Sequence, residues 1–268
     1  MLYETEGIVL SQTALGEHDK IITVLTRKEG VVRAVVKGVR KATSKLSSVT
    51  QPFSEATFQF YKGKSLDRVT QVSLRSSHPG VIADYRKTVY ASYLAELTME
   101  LMPDRQSQES QYDLWVKALL CFEDKDDPWI VAKWGEMGLL LRAGLGPSLD
   151  HCTVCGGSIQ EASRGVTSKT LGQQPNLEFS VSFGGIVCHS CSGQVMPGYR
   201  GMKVAPGTLR TLEILMDSAS ELRCPNIVAR GQVRDETDLV LRQYVEYTLG
   251  KRLKSLSLVE SIGADPAK

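Results

Sequence analysis

Four cysteines fall into two pairs, Cys152-Thr-Val-Cys155 and Cys188-His-Ser-Cys191, with 32 residues between them. Thiolates at C-x-x-C spacing meet a metal from one tight turn. Two such turns supply the four sulfurs of a closed tetrahedral zinc site. Glycine follows each pair within two residues, at Gly156 and Gly193, and lets backbone amides turn toward the sulfurs. Four sulfurs leave no position for water or substrate, so one structural Zn2+ is the expected occupant. The interval exceeds the ~15–20 residues of the compact pattern. A strand over 177–183 and the turn at Gly184-Gly185 take up the excess. Reduced cysteines that have lost their metal are the rival reading, whereas a thioredoxin-like redox pair would need a βαβ frame that neither pair has. His151 and His189 adjoin the ligands, but four cysteines already suffice. Cys121 and Cys224 stand apart, and Cys121 sits among apolar helix positions that suit core packing.

The second cluster is cationic. Arg33, Lys37, Arg40, Lys41 and Lys45 all fall between Glu29 and Glu55, an interval with no acidic residue. A strand runs straight into a basic loop, where Lys and Arg can meet phosphates and the Ser44 hydroxyl can add a donor. Gly38 would let the backbone approach closely. The ordinary alternative is a solvated charged face. Charge along the chain sharpens the choice. Residues 1–82 carry 12 Lys+Arg against 7 Asp+Glu, and residues 83–150 carry 7 against 12, although the whole chain is only +2. A local field of one sign decides which polyion approaches. Tyr3, Phe53, Phe58, Phe60 and Tyr61 are aromatics that could stack on bases, or equally fill a core.

Catalytic signatures are missing. Gly63-Lys64-Ser65 looks like the end of a phosphate-binding loop, but Phe58 stands where the first glycine is required. No G-x-S-x-G, H-E-x-x-H or G-x-G-x-x-G occurs, and the 4 histidines lie in separate segments. Glu123-Asp124-Lys125-Asp126-Asp127 is the densest acidic run; beside Pro128 it reads as a solvated loop and helix cap.

The elements that position these groups follow from periodicity. With 268 residues, 42% hydrophobic and 23% charged, the chain has the composition of folded domains rather than of disordered or fibrous chains. β-branched runs at 7–10, 21–25 and 31–36 read as strands, and 56–61 and 66–72 flank a turn at 62–65. Five short strands in about 75 residues fit a small closed barrel, either an OB-fold or an SH3-like barrel, which periodicity does not separate. From Val89 the period becomes helical and stops before Pro103. A second helix covers about 112–122, and a third starts with Asp127 as cap and Pro128 at its first position, running to Arg142. Two more begin near Pro206 and Asp235, and the tail from about Gly263 is expected to fray. The expected class is therefore α+β and multidomain. Its parts are a barrel over 1–80, a helical domain over 81–150 that resumes at 201–262, a cysteine segment at 151–200, and a tail at 263–268. No stretch of ~18 apolar residues suggests a membrane span, and the first residues lack a secretory signal, so a cytoplasmic protein is expected.

The blocks Tyr3-Glu-Thr-Glu-Gly-Ile-Val-Leu10, Gly16-Glu-His-Asp-Lys-Ile21 and Val36-Lys-Gly-Val-Arg-Lys41 resemble, in residues and spacing, the RecO family of bacterial DNA repair proteins. Phe183-Gly-Gly-Ile-Val-Cys188 is similar to that family's second knuckle, and the run from Tyr244 through Leu249-Gly250-Lys251 to Ser255 is similar to its C-terminal part. The resemblance implies an N-terminal OB-fold and a helical domain bearing the zinc segment, with Cys152, Cys155, Cys188 and Cys191 as ligands. It implies a recombination mediator that binds single- and double-stranded DNA and anneals complementary strands without ATP. Such a protein helps RecA load on DNA coated by single-strand-binding protein, with RecR and that protein's C-terminal tail as partners, near the nucleoid. Lys37, Arg40 and Lys41 match the family's basic loop and Lys20 its Gly-Glu-x-Asp-Lys block; Arg33 and Lys45 join them on charge alone. Lys20 has an alternative as an ion-pair partner of Glu17 or Asp19, which themselves suit bracing the barrel. Two other classes of function stay open: a protein–protein adaptor working through the acidic helical domain, with the barrel as scaffold, and a DNA-modifying enzyme such as a nuclease with carboxylates assembled in space.

Overall fold

The computed structural model describes residues 1–41, 44, 46–102, 106, 109–159, 177–192 and 201–263. Lys45, Gly193 and the end of the tail, 264–268, lie outside the described residues.

Five strands come first: β1 (Leu2–Leu15), β2 (Asp19–Thr26), β3 (Gly30–Val36), β4 (Glu55–Tyr61) and β5 (Asp67–Ser76). A one-turn helix, α1 (Leu46–Val49), lies between β3 and β4. The strands close into a barrel in the order β1-β2-β3-β5-β4, with β3 and β5 parallel and the other pairs antiparallel. That order and the single parallel closure are those of an OB-fold, which removes the SH3-like alternative. Val9, Ile22, Val24, Val32, Val36, Phe58, Phe60 and Val69 fill the barrel.

β1 also explains why Gly7-Ile8-Val9-Leu10 is an unbroken apolar run rather than an alternating one. Val9 points into the barrel, while Ile8 and Leu10, with Leu25, Val31 and Phe53, join a second core shared with the helices. At ~1.5–3 kcal/mol for each buried aliphatic or aromatic side chain, this joint is a packed core and not a free hinge. Polar contacts reinforce it. Arg27 pairs with Glu6 and with Asp113, both at 2.9 Å, and lies over the Tyr112 ring.

The helical region begins with α2 (Pro79–Ala83), α3 (Tyr85–Leu101), α4 (Glu109–Asp124) and α5 (Pro128–Arg142). Asp127 caps α5 by accepting from the Trp129 N–H at 3.1 Å, with Pro128 at the first helical position. α5 is buried on all sides from Pro128 to Leu140 and forms the centre of the bundle. Its buried Lys133 answers the buried Glu136 and the partly exposed Asp238, each at 3.0 Å. A small sheet follows, ordered β7-β6-β8, built from β6 (Leu177–Ser180), β7 (Gly185–Val187) and β8 (Met202–Val204), with α6 (His189–Ser192) after β7. α7 (Pro206–Ser220), α8 (Gly231–Leu249) and α9 (Leu256–Gly263) complete the chain. The expected strand at 177–183 ends at Ser180, because Ser182 and Gly184 belong to the turn into β7. α1, α2 and α9 span only 4, 5 and 8 residues, too short to show a helical period in sequence. No described helix is long and apolar enough to cross a membrane.

Candidate functional site

The basic loop follows β3, and its geometry comes from alternation. Val39 is fully buried in the barrel core, so the residues on either side of it turn outward. Lys37, Arg40 and Lys41 are exposed, as is Arg33 on the outer face of β3. The loop is anchored on the β1–β2 turn. The Gly38 N–H donates to Asp19 Oδ1 at 2.8 Å, the Arg40 N–H to the His18 carbonyl at 2.9 Å, and the Arg40 guanidinium to the Gly16 carbonyl at 2.8 Å. Gly38 has φ +64°, so glycine serves backbone conformation here and not only close approach. Asp19 therefore braces the loop.

Lys20 makes no ion pair with Glu17 or Asp19. Its ammonium donates to Gln12 Oε1 at 2.7 Å, and Gln12 in turn donates to Gln51 Oε1 at 3.1 Å. Neutral acceptors thus orient Lys20 and Arg40 without cancelling their charge. Lys37, Lys41 and Arg33 have no ion pair among the described residues. The Ser44 hydroxyl accepts from the Leu46 N–H at 3.3 Å at the start of α1, a bond that does not use its own proton. Of the five barrel aromatics, Phe53, Phe58 and Phe60 are core, and Tyr3 is half-buried with its hydroxyl on Asp67. Tyr61 alone of the five is exposed, at 52%.

The cysteine pairs converge as their spacing predicts. The four sulfurs of Cys152, Cys155, Cys188 and Cys191 lie within 4.8 Å of one another, and Cys155 and Cys188 are 3.9 Å apart. Zinc–sulfur bonds of ~2.3 Å at tetrahedral angles place sulfurs ~3.8 Å apart, so the cluster fits one such ion. The first knuckle is closed by the Gly156 N–H donating to the Cys152 carbonyl at 2.8 Å, and the second is the single turn of α6.

Electrostatics favour a cation between them. Burial opposes ionisation of Cys152, but N–H groups of Cys188, Cys155 and Val154 point at its sulfur and bring its pKa down to about 6. Burial raises Cys188, and Cys191, hydrogen-bonded to the Cys188 thiol and desolvated, is pushed up to about 12. One thiolate suppresses the next, and a divalent ion at the centre relieves that repulsion.

The centre is docked on the helices. Phe179 packs edge-on against Tyr244, centroids 5.6 Å apart, and Tyr244 donates to the Leu145 carbonyl at 3.0 Å. His151 turns away to Asp150 at 3.0 Å, and His189 is exposed. Cys121 and Cys224, far apart in sequence, are brought into side-chain contact between α4 and the segment after α7. Their mutual hydrogen bond lowers the pKa of Cys121 and raises that of Cys224. Only tertiary structure could reveal that pair. The acidic run is put to structural use: Asp127 pairs with Arg234 at 2.7 Å, and Glu123 lies 3.4 Å from the buried His78.

Comparison with known proteins covers the barrel and the helical region in turn. The family model "Recombination protein O N terminal" matches residues 1–78, the barrel, and "Recombination protein O C terminal" matches residues 82–257. The chain is 31% identical over 263 residues to the DNA repair protein RecO of Symbiobacterium thermophilum, covering 97% of this chain and 98% of that one. It is 31% identical over 266 residues to that of Pelotomaculum thermopropionicum, covering 99% and 96%. It is 33% identical over 250 residues to that of Listeria innocua, covering 93% and 91%. With a fold, a cysteine centre and matches that run nearly end to end, the chain belongs to the RecO family of DNA repair proteins.

Proposed function

We propose that this protein is a recombination mediator that binds single- and double-stranded DNA and anneals complementary strands without nucleotide hydrolysis, acting in the cytoplasm beside the nucleoid. The observation that carries this reading is the loop after β3. It presents Lys37, Arg40 and Lys41 outward on a rigid brace whose contacts leave their charge intact. Two strands repel each other, and a basic surface that holds both lowers that cost. Each neutralised phosphate releases condensed counterion, with a salt slope of ~0.7 per contact on single strands and ~0.9 on duplex. Zn2+ at the four cysteines supports fold rather than chemistry in this reading, because sulfur fills every position.

RecR, RecA and the single-strand-binding protein complete the proposed setting. A groove of about 770 Å3 between α3, α8 and α9 suits a peptide carrying both apolar and acidic groups. Leu256 and Val259 give it an apolar wall; Arg86 and Arg234, both paired with Asp127, line it together with Arg230, and Asp235, Asp238 and Glu260 line it as well. Arg230 is exposed and has no ion pair among the described residues. We assign the tail of the single-strand-binding protein to this groove. Arg230→Ala is expected to weaken tail-peptide binding several-fold while leaving DNA binding unchanged; the reverse pattern would remove the assignment.

The test of the whole reading is annealing of complementary oligonucleotides, bare or coated with single-strand-binding protein, with no nucleotide present and across a salt series. Acceleration of both that fades with salt is expected. Acceleration of bare DNA alone would retain the DNA surface and remove the partner. No effect from folded, zinc-loaded protein would favour an adaptor that works through the acidic helical region.

A further inference from the structure

The turn between β4 and β5 carries Lys62, Lys64 and, at its exit, Arg68, all exposed and without an ion pair among the described residues. Their placement follows from register. Arg68 is paired across to Tyr61 on β4 and alongside Val35 on β3. Outward positions alternate, so Arg33 and Lys37 flank Val35 on the same face. At ~4.8 Å between strands and ~3.3 Å per residue, both lie with their Cα atoms ~8 Å from that of Arg68. From β3 across β5 to β4 the face therefore reads as cations, cation and aromatic ring, continuous with the basic loop.

The turn is also rigid. A Cβ on Gly63 would sit 1.8 Å from the Leu66 carbonyl oxygen, so only glycine allows this closure. The Gly63 N–H donates to Asp67 Oδ1 at 2.9 Å. Asp67 is turned inward, 1% exposed, and also takes the Tyr3 hydroxyl, so its carboxylate is held off the outer face. Glu4, opposite Gln59 on the far side of β4, is the nearest outward acid in the register. Phe58 and Phe60 stack on each other inside the barrel, whereas the Tyr61 ring is left in solvent.

We propose that Tyr61, Lys62, Lys64 and Arg68 form a platform for single-stranded nucleic acid, on which Tyr61 stacks against one base and the cations hold the flanking phosphates. Every base has a face to stack, so the platform is indifferent to sequence. A duplex hides its base faces, so the ring discriminates single strands from duplex while the basic loop serves both. The platform rests on the nucleic-acid reading above and gives that surface a strand preference.

The test uses the full zinc-loaded chain. Trp115, Trp129 and Trp134 are at most 1% exposed, so Tyr61→Trp adds the one indole positioned to report stacking. A 12-nucleotide oligothymidylate is expected to quench that emission, and a 12-base-pair duplex to leave it nearly unchanged. Tyr61→Ala is expected to weaken single-strand binding about tenfold and duplex binding less than twofold. Lys62→Ala with Lys64→Ala should lower the single-strand salt slope by ~1.4. Unchanged emission and unchanged strand preference, with DNA binding still sensitive to Lys37→Ala, would overturn the platform and leave the function standing. Failure of the folded wild type to bind either nucleic acid would overturn both. Thermal melts of the variants establish that the barrel is intact.

Discussion

The outer face of the barrel and the interior of the helical region use the same basic side chains in opposite ways. In the helical region two packed cations meet carboxylates, whereas Arg142 donates to the backbone carbonyls of Ser110, Gly138 and Ala219. Lys133 lies between Glu136 and Asp238, and Arg234 pairs with Asp127 while lying 4.5 Å over the Trp129 ring. Outside, Lys20 and Arg40 are steered by the Gln12 amide and the Gly16 carbonyl, and Lys37, Lys41 and Arg33 have no ion pair among the described residues. A paired buried charge fixes packing. An exposed charge with a neutral neighbour keeps its field for a polyanion. Overall net charge, only +2, hides this division completely.

Perturbing the interior is expected to cost most. Lys133→Ala leaves Glu136 and Asp238 without their cation and is expected to destabilise the protein by ~3–5 kcal/mol in urea titrations. DNA affinity per folded molecule should hold; lost affinity at full stability would erase the contrast. The cysteine centre comes next. Cys155→Ser, or chelation, is expected to lower the melting temperature by roughly 5–10 °C, about 2–3 kcal/mol for a chain of this size. Affinity of the folded fraction should again be unchanged, and lost annealing at unchanged stability would place the centre in the DNA surface.

The loop variants have smaller effects and sharper signs. Gly38→Ala forces a side chain into φ +64° and is expected to cost ~1–2 kcal/mol in barrel stability. Asp19→Ala removes a negative charge beside the basic loop, which on charge alone should tighten DNA binding. The bracing role predicts the reverse, a loss of about threefold, or ~0.7 kcal/mol. Asp19→Asn keeps an acceptor for the Gly38 N–H and should restore affinity. Tighter binding by Asp19→Ala in fluorescence anisotropy would show that the brace is not needed.

Much of this was legible in the residues. The two C-x-x-C turns announced a four-sulfur centre because ligand spacing is local, and Asp127-Pro128 announced a helix start because capping is local. The five strands were visible, but the choice of barrel depended on a parallel pairing between β3 and β5, which no local pattern encodes. The role of Asp19 was partly visible as a brace, but its target, the amide of Gly38, is 19 residues away. Alternation already puts Phe58 and Phe60 on one face of β4 and Tyr61 on the other, but which face looks outward is decided by closure of the barrel. Cys121 and Cys224 meet only through packing of α4 against the segment after α7.

Unpaired cations on the barrel that bind nucleic acid by charge must show it in salt dependence. The most direct test is the salt dependence of binding, compared between wild type and the Lys37→Ala, Arg40→Ala double variant on one oligonucleotide in both forms. The slope of log affinity against log salt is expected to flatten by ~1.4 on the single strand and ~1.8 on the duplex, whatever the sequence. An unchanged slope in a folded double variant would contradict it.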